Sequence, residues 1–158
     1  MFIKLLEKVQ LTIGVICLSI FIIAIIIQIS TRYLGIPVIW TEEVANYSFI
    51  WAVFMGASVM VNRREHFSFD FLQIKLKGKS RTSLFIITDV ILLAFNLGIF
   101  YYGVQVVSNF WDYNWTSLPF LKMRYVWISV PIMGLTMFIY SFAHLISDFK
   151  VLKGKEAA

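Results

Sequence analysis

Four long runs of apolar residues limit what this sequence can fold into. The runs cover residues 9–29, 44–61, 84–107 and 125–147. In a helix that rises about 1.5 Å per residue, about 20 residues cross a hydrocarbon core roughly 30 Å thick. The second run has only 18 residues, but the two acidic residues before it can extend its helix into the headgroups. The sequence therefore predicts an all-α integral membrane protein, with four transmembrane helices in a single domain over residues 1–158.

The composition excludes the main alternatives to a membrane protein. Of the 158 residues, 59% are hydrophobic and 15% are charged. A soluble domain has about 45–50% apolar residues and roughly 25% charged residues. So apolar a composition rules out a disordered chain. It also disfavours a soluble enzyme, because a soluble domain of this size would bury too little surface to hide so much apolar area. Cys17 is the only cysteine, which excludes an intramolecular disulfide.

The distribution of basic residues predicts the orientation of the helices. Lys and Arg number 2 before the first run, 6 in the 62–83 loop and 3 after the last run, against 3 in the two other connections. Positively charged loops stay in the cytoplasm, so both termini and the 62–83 loop are predicted to be cytoplasmic. The same distribution explains the net charge of +5 without nucleic acid, because these residues flank apolar runs. The first run exceeds the length of a signal-peptide core and is predicted to be a retained span.

Two further segments are predicted to lie at the membrane surfaces. Residues 67–76 alternate phenylalanine with polar residues and are too short to span. We expect a short interfacial helix there, between the second and third spans, on the cytoplasmic side. On the other side, Trp40 and the aromatic residues of the 109–124 connection are typical of a membrane–water boundary.

The acidic residues near the helix ends are candidate functional residues. Glu42 and Glu43 lie in the first turn of the second predicted helix, where the helix dipole favours negative charge. Arg32 precedes Glu42 by ten residues, so a short hairpin predicts an ion pair between them; a proton or cation site is the alternative. Asp89 is the only acid within a predicted span, about 7 Å from Leu84 along the helix. It indicates either a structural or subunit-interface role or ion transport.

Small residues recur at helical spacing in two of the predicted spans. Ser48, Ala52 and Gly56 form one stripe, and Ala94 and Gly98 form another. Helices in lipid associate through such residues, so both faces are predicted to meet a helix.

The sequence contains no motif typical of an enzyme. It has no glycine-rich phosphate loop, no HExxH and no serine nucleophile elbow. His66 and His144 lie near span ends and are poorly placed to hold a haem between helices. We therefore expect no catalysis, no cofactor and no metal site. The spans are also expected to lack the broken helices and the polar midplane with which transporters bind substrate and ions.

Several motifs from residue 32 onward resemble the small membrane subunit of tripartite ATP-independent periplasmic (TRAP) transporters. The most specific part is Trp40-Thr41-Glu42-Glu43, followed at the far end of the same predicted helix by Arg63-Arg64-Glu65-His66 and Asp70. Pro131 and Gly134 match a Pro-x-x-Gly element in the last helix of that family. The residues for which we predict structural or subunit-interface roles are Arg32, Trp40, Glu42, Glu43, Gly56, Arg63, Arg64, Glu65, His66, Asp70, Asp89, Pro131 and Gly134.

The resemblance implies a division of labour that composition alone does not reveal. In this family a soluble periplasmic protein captures an organic acid, such as a C4-dicarboxylate or a sialic acid. A large membrane subunit then moves the acid inward, usually with a sodium gradient. The small subunit is thought to scaffold the fixed part of the large one, in the bacterial inner membrane. The alternative is a small multidrug exporter that acts as a homodimer, but such exporters need an acid deep in the first helix, and residues 9–29 contain none.

Overall fold

The computed structural model describes residues 2–36, 38–65 and 79–152, the last range without the side chain of Lys79. Its helices are α1 (Phe2–Tyr33), α2 (Trp40–Arg63), α3 (Lys79–Asn109), α4 (Arg124–Trp127) and α5 (Ser129–Leu152). With α4 and α5 taken together, four helices of the described residues are long and apolar enough to cross a membrane, which confirms the predicted all-α architecture. The predicted interfacial helix, His66 and Asp70 lie outside the described residues.

The helices form two hairpins, and α1 packs along α2 in the first. A Cβ placed on Gly14 of α1 would lie 3.5 Å from Met55 Cβ and 3.8 Å from the Ala52 carbonyl oxygen. A glycine facing α2 therefore lets the two helices come close. Close packing of this kind is what holds helices together in lipid, where apolar surface alone gives no preference for a neighbouring helix.

The second hairpin pairs α3 with α5 through an even closer contact. A Cβ on Gly134 would lie 2.8 Å from the Phe100 backbone nitrogen, so only glycine fits there. Towards the start of α5, Gly103 of α3 faces Pro131, and a Cβ placed on this glycine would lie 3.0 Å from the proline nitrogen. Pro131 lies in the first turn of α5, where a helix tolerates a missing N–H. The Pro-x-x-Gly element is thus part of the α3–α5 contact.

The two hairpins meet through α2 and α5, which are the inner helices. Of the most apolar 18 residues in each span, 33% are buried in α2 and 44% in the α4–α5 span, against 6% in α1 and 11% in α3. The apolar cluster between the hairpins contains Val61 from α2 with Met133, Met137 and Tyr140 from α5. The outer helix α1 exposes most of its apolar side chains, and α3 exposes about half of them.

The two helices of the first hairpin end in the same motif with different residues. After α1, Gly35 has φ 73°, its N–H donates to Arg32 O, and the next N–H donates to Thr31 O. After α2, Arg64 adopts φ 57° with the equivalent pair of bonds to Val61 O and Met60 O. This Schellman motif normally takes glycine at the left-handed position. A non-glycine residue there is strained, so the arginine side chain needs a compensating interaction.

Candidate functional site

Arg64 joins α2 to both helices of the second hairpin. Its Nη2 lies 3.2 Å from Asp89 Oδ2 of α3 and 2.7 Å from Asp148 Oδ2 of α5. The guanidinium also lies over the Phe85 ring, 4.6 Å from its centre. The left-handed backbone at Arg64 is thus accompanied by a side chain that reaches both carboxylates. One guanidinium thus pairs with two carboxylates, whose side chains are 6% and 13% exposed.

A second ion pair lies at the same end of the bundle, within the first hairpin. Glu7 of α1 accepts hydrogen bonds from Arg63 Nε at 2.7 Å and from Asn62 Nδ2 at 2.9 Å. We call the charged residues at this end the ion-pair layer: Glu7, Arg63, Arg64, Asp89 and Asp148. Asp89 therefore lies at the level of the end of α2. Its partner Arg64 is 25 positions away in the sequence, and the sequence pattern did not indicate this pair. Glu65 follows Arg64 and is exposed.

A buried cluster of polar side chains joins three helices in the interior. Gln10 of α1 donates from Nε2 to Thr136 Oγ1 at 2.8 Å and accepts at Oε1 from the Tyr140 hydroxyl at 2.6 Å. The Thr136 hydroxyl lies 3.2 Å from Ser58 Oγ of α2. All four residues of this interior polar cluster are buried. The sequence pattern did not indicate this cluster, because Gln10 lies within an uncharged run and its partners are hydroxyl residues of other helices.

At the opposite end, Glu43 ties the start of α2 to the 110–123 loop. Its two carboxylate oxygens accept the backbone N–H groups of Thr116 and Ser117, each at 2.8 Å. Two turns along α2, Trp51 Nε1 donates to the Tyr125 carbonyl oxygen at 2.9 Å. At this end the bonds between the hairpins therefore involve main-chain groups, which leave no signature in the sequence.

The 110–123 loop has an ordered hairpin-like structure of its own. Asn114 and Lys122 form an antiparallel bridge, and the Met123 N–H donates to Tyr113 O at 2.8 Å. The Arg124 guanidinium lies over the Trp111 ring, 4.7 Å from its centre. The large side chains that the loop leaves exposed are Trp111, Tyr113 and Phe120. The loop thus presents aromatic groups at the end of the bundle where Trp40 is also exposed.

The predicted ion pair between Arg32 and Glu42 is wrong. Among the residues that the structure describes, Arg32 and Glu42 form no ion pair with each other, and both are exposed. Successive residues of a helix point about 100° apart, so when Glu43 turns towards the 110–123 loop, Glu42 turns away from it. Within the same described ranges, no group of three acidic, histidine or cysteine side chains could hold a metal ion.

The polar contacts mark three levels along the bundle axis. Glu43 and Arg64 are separated by 21 positions of α2. At 1.5 Å per residue this places the loop end about 30 Å from the ion-pair layer, which matches the thickness of a hydrocarbon core. The interior polar cluster lies between them. In this arrangement the polar groups bind the two hairpins to each other, and the outward faces of α1 and α3 stay apolar.

The comparisons with known proteins agree with this membrane architecture. The family model described as "Tripartite ATP-independent periplasmic transporters, DctQ component" matches residues 21–151. The chain belongs to the DctQ family. It is 27% identical over 130 residues to the sialic acid TRAP transporter small permease protein SiaQ of Vibrio cholerae, covering 80% of this chain and 73% of that protein. It is 28% identical over 127 residues to the sialic acid TRAP transporter permease protein SiaT of Haemophilus influenzae, covering 78% of this chain.

The length of the relatives bears on the partner of this subunit. The match covers only 20% of SiaT. The chain is also 28% identical over 126 residues to the isethionate TRAP transporter permease protein DctMQ of Oleidesulfovibrio alaskensis. That match covers 75% of this chain but only 19% of DctMQ. In both relatives the matched segment is one part of a much longer permease chain. This DctQ-family chain is therefore a TRAP transporter small permease subunit, a multi-pass protein of the bacterial inner membrane that pairs with a large permease subunit, and not an enzyme.

Proposed function

We propose that this small permease subunit is a rigid scaffold for the large permease subunit during sodium-gradient-driven uptake of an organic acid. The observation that carries the proposal is the polar seam between the hairpins, bonded at the ion-pair layer, in the interior and at Glu43. A seam bonded at both ends and at a level between them resists sliding and hinge motion. Rigidity of this kind suits a part that stays in place while another part moves.

The proposed orientation follows from the basic residues. The ion-pair layer and both termini lie on the cytoplasmic side, because most Lys and Arg residues flank that end. The 110–123 loop then lies on the periplasmic side. An alkaline phosphatase reporter, which is active only outside the cytoplasm, should be inactive when fused after Ala158 and active when inserted at the exposed Phe120. The reverse pattern would overturn the orientation.

The proposed substrate is a small organic acid, such as a C4-dicarboxylate or a sialic acid, delivered by a periplasmic binding protein. Relatives of this chain serve transporters named for sialic acid and isethionate, which are both organic anions. Exposed residues at the loop end are available to the binding protein, among them Arg32, Trp40 and Glu42. We assign structural roles to Glu43, Arg63, Arg64, Asp89, Pro131 and Gly134, and interface roles to Glu65, His66 and Asp70.

Reconstitution into liposomes tests the scaffold role directly. Vesicles with the large subunit, this chain and the binding protein should take up substrate when sodium is higher outside. Vesicles with this chain alone should take up none, with or without the gradient. Vesicles with the large subunit alone should show reduced uptake, which added chain restores. Uptake or drug export by this chain alone would overturn the proposal in favour of a self-sufficient transporter.

A further inference from the structure

An apolar groove runs along the outward side of the second hairpin. This α3–α5 groove has a volume of about 500 Å³, and its lining includes Ala94, Phe95, Gly98, Tyr102, Val106 and Val130. A Cβ placed on Gly98 would find no atom within 4 Å, so the floor of the groove is open. The small-residue stripe of α3, predicted to meet a helix, is therefore left uncovered by the described part of the chain. Small residues at an open face let a second helix approach closely.

Tyr102 indicates what kind of surface covers the groove. The residue is 65% exposed, its ring meets that of Tyr101 edge-on, and of these two exposed tyrosines it is Tyr102 that lines the groove. The structure gives the Tyr102 hydroxyl no hydrogen bond among the described residues. It lies seven residues before the end of α3 at Asn109, about 10 Å along the helix and inside the apolar slab. Helical side chains lean towards the N-terminus, which takes the hydroxyl still further from the loop end. A polar group in hydrocarbon is costly without a partner, and the tail of a lipid offers no acceptor.

We propose that the α3–α5 groove receives a transmembrane helix of the large permease subunit, and that this helix accepts a hydrogen bond from Tyr102. The proposal rests on the proposed function. A protein helix meets both requirements of the groove, since it can pack on Gly98 and can offer a carbonyl or side-chain acceptor to the phenol. The relatives indicate whose helix it is, because in SiaT and DctMQ the matched segment is joined to a much longer permease chain.

The first hairpin carries a second groove that serves as a comparison. This α1–α2 groove has a volume of about 260 Å³ and is lined in part by Gly14, Phe49, Val53 and Gly56. Its floor is also open at Gly56, where a Cβ would find no atom within 4 Å. The polar residue in its lining, Gln10, already has hydrogen bonds at both ends of its amide. A lipid tail satisfies such a groove, so we expect no subunit there.

Site-specific photo-crosslinking in the assembled transporter tests the choice of groove. The photoreactive residue p-benzoylphenylalanine replaces Phe95 in the α3–α5 groove or, as the control, Val53 in the α1–α2 groove; both side chains are exposed. The chain is co-expressed with the large subunit from the same organism and irradiated in native membranes. We expect an adduct with the large subunit from position 95 and lipid adducts from position 53. An adduct of doubled mass from position 95, lipid adducts alone there, or a large-subunit adduct from position 53 only would overturn the proposal.

Two matched pairs of variants test the contacts themselves. G98L should reduce the large subunit that co-purifies in detergent by about tenfold, equivalent to about 1.4 kcal/mol, whereas G56L should not. Y102F should reduce it by about threefold, equivalent to about 0.6 kcal/mol, whereas Y101F, next to it but outside the groove lining, should not. Thermal unfolding of each purified chain shows whether a variant still folds.

The outcomes separate the two proposals. If the wild-type chain fails to co-purify with the large subunit, the proposed function fails. If it co-purifies and the paired variants bind equally, only the groove assignment fails.

Discussion

The contacts within each hairpin differ in kind from the contacts between the hairpins. Within hairpins the helices approach each other at glycines, with Gly14 against Met55 and Gly134 against Phe100, and the Glu7–Arg63 ion pair adds one polar contact in the first hairpin. Between hairpins the specific contacts are polar, from Arg64 at one end to Glu43 at the other. Neighbouring helices of a short hairpin are held close by their connection, so tight packing is enough to pair them. The two hairpins lack that constraint, and directional polar bonds fix their relative position along the membrane normal.

Removing Arg64 should damage the seam most. R64M leaves the Asp89 and Asp148 carboxylates without the cation that compensates them. Loss of one partner of a buried ion pair costs about 3–5 kcal/mol, and the partial exposure of Arg64 places the expected loss near about 3 kcal/mol. The free energy of unfolding in mixed micelles, measured by titration with SDS, checks this value. R63M is the control, because Arg63 is 46% exposed and an exposed pair is worth less than about 1 kcal/mol; equal losses would contradict a special role for Arg64.

Gly134 tests whether packing alone holds the second hairpin. G134A places a methyl group 2.8 Å from the Phe100 nitrogen, whereas G14A in the first hairpin makes only ordinary contacts. In both variants the replacement of glycine by alanine stabilises the helix by about 1 kcal/mol, because alanine has the higher helix propensity. Overpacking costs about 1–3 kcal/mol, so G134A should destabilise the chain relative to G14A by about 2 kcal/mol. The same SDS titration measures the difference, and equal stabilisation by both changes would show that the α3–α5 contact is not tight.

The architecture was predictable because span number depends on local composition. Each run of apolar residues, such as 84–107, reports its own helix without reference to the rest of the chain. Pro131 and Gly134 were also recognisable as a Pro-x-x-Gly motif, although the sequence did not predict which atoms they contact. The helices extend beyond the runs because backbone hydrogen bonding continues into polar residues at the membrane surface.

The seam could not be predicted because its partners are distant or carry no side-chain signature. Asp148 lies 84 positions from Arg64, and one sequence offers no way to choose between it and other acids. Glu43 bonds main-chain N–H groups, which every residue except proline possesses. The sequence drew attention to the charges of Arg32 and Glu42, which do not pair with each other. Helix-end charge shows that an interaction is needed but does not identify the partner.

The interior polar cluster should contribute less than the ion-pair layer. Q10L removes the acceptor of the Tyr140 hydroxyl, whereas the Thr136 hydroxyl can still donate to Ile132 O of its own helix at 2.8 Å. Hydrogen bonds between membrane helices average about 0.6 kcal/mol and reach about 1.7, so we expect a loss of about 1 kcal/mol. The double variant Q10L/Y140F should lose less than the sum of the single changes, because it leaves no unpaired hydroxyl. Additive losses in the SDS titration would show that the two side chains are not coupled.

The contact of Glu43 with the 110–123 loop should have the smallest effect on global stability and a distinct local one. E43Q keeps one acceptor oxygen and loses the other, so one of the two N–H groups of Thr116 and Ser117 is left without its charged partner. The loss is about 1 kcal/mol or less, because the loop end is open to water, which replaces the missing acceptor. Hydrogen exchange should therefore become faster at residues 116 and 117 and stay unchanged at the ion-pair layer. E42Q is the matched control, since Glu42 is exposed and points away from the loop. Faster exchange along the whole seam in E43Q would mean that the two ends are coupled, and the hairpins would then be held as one cooperative unit rather than by independent contacts.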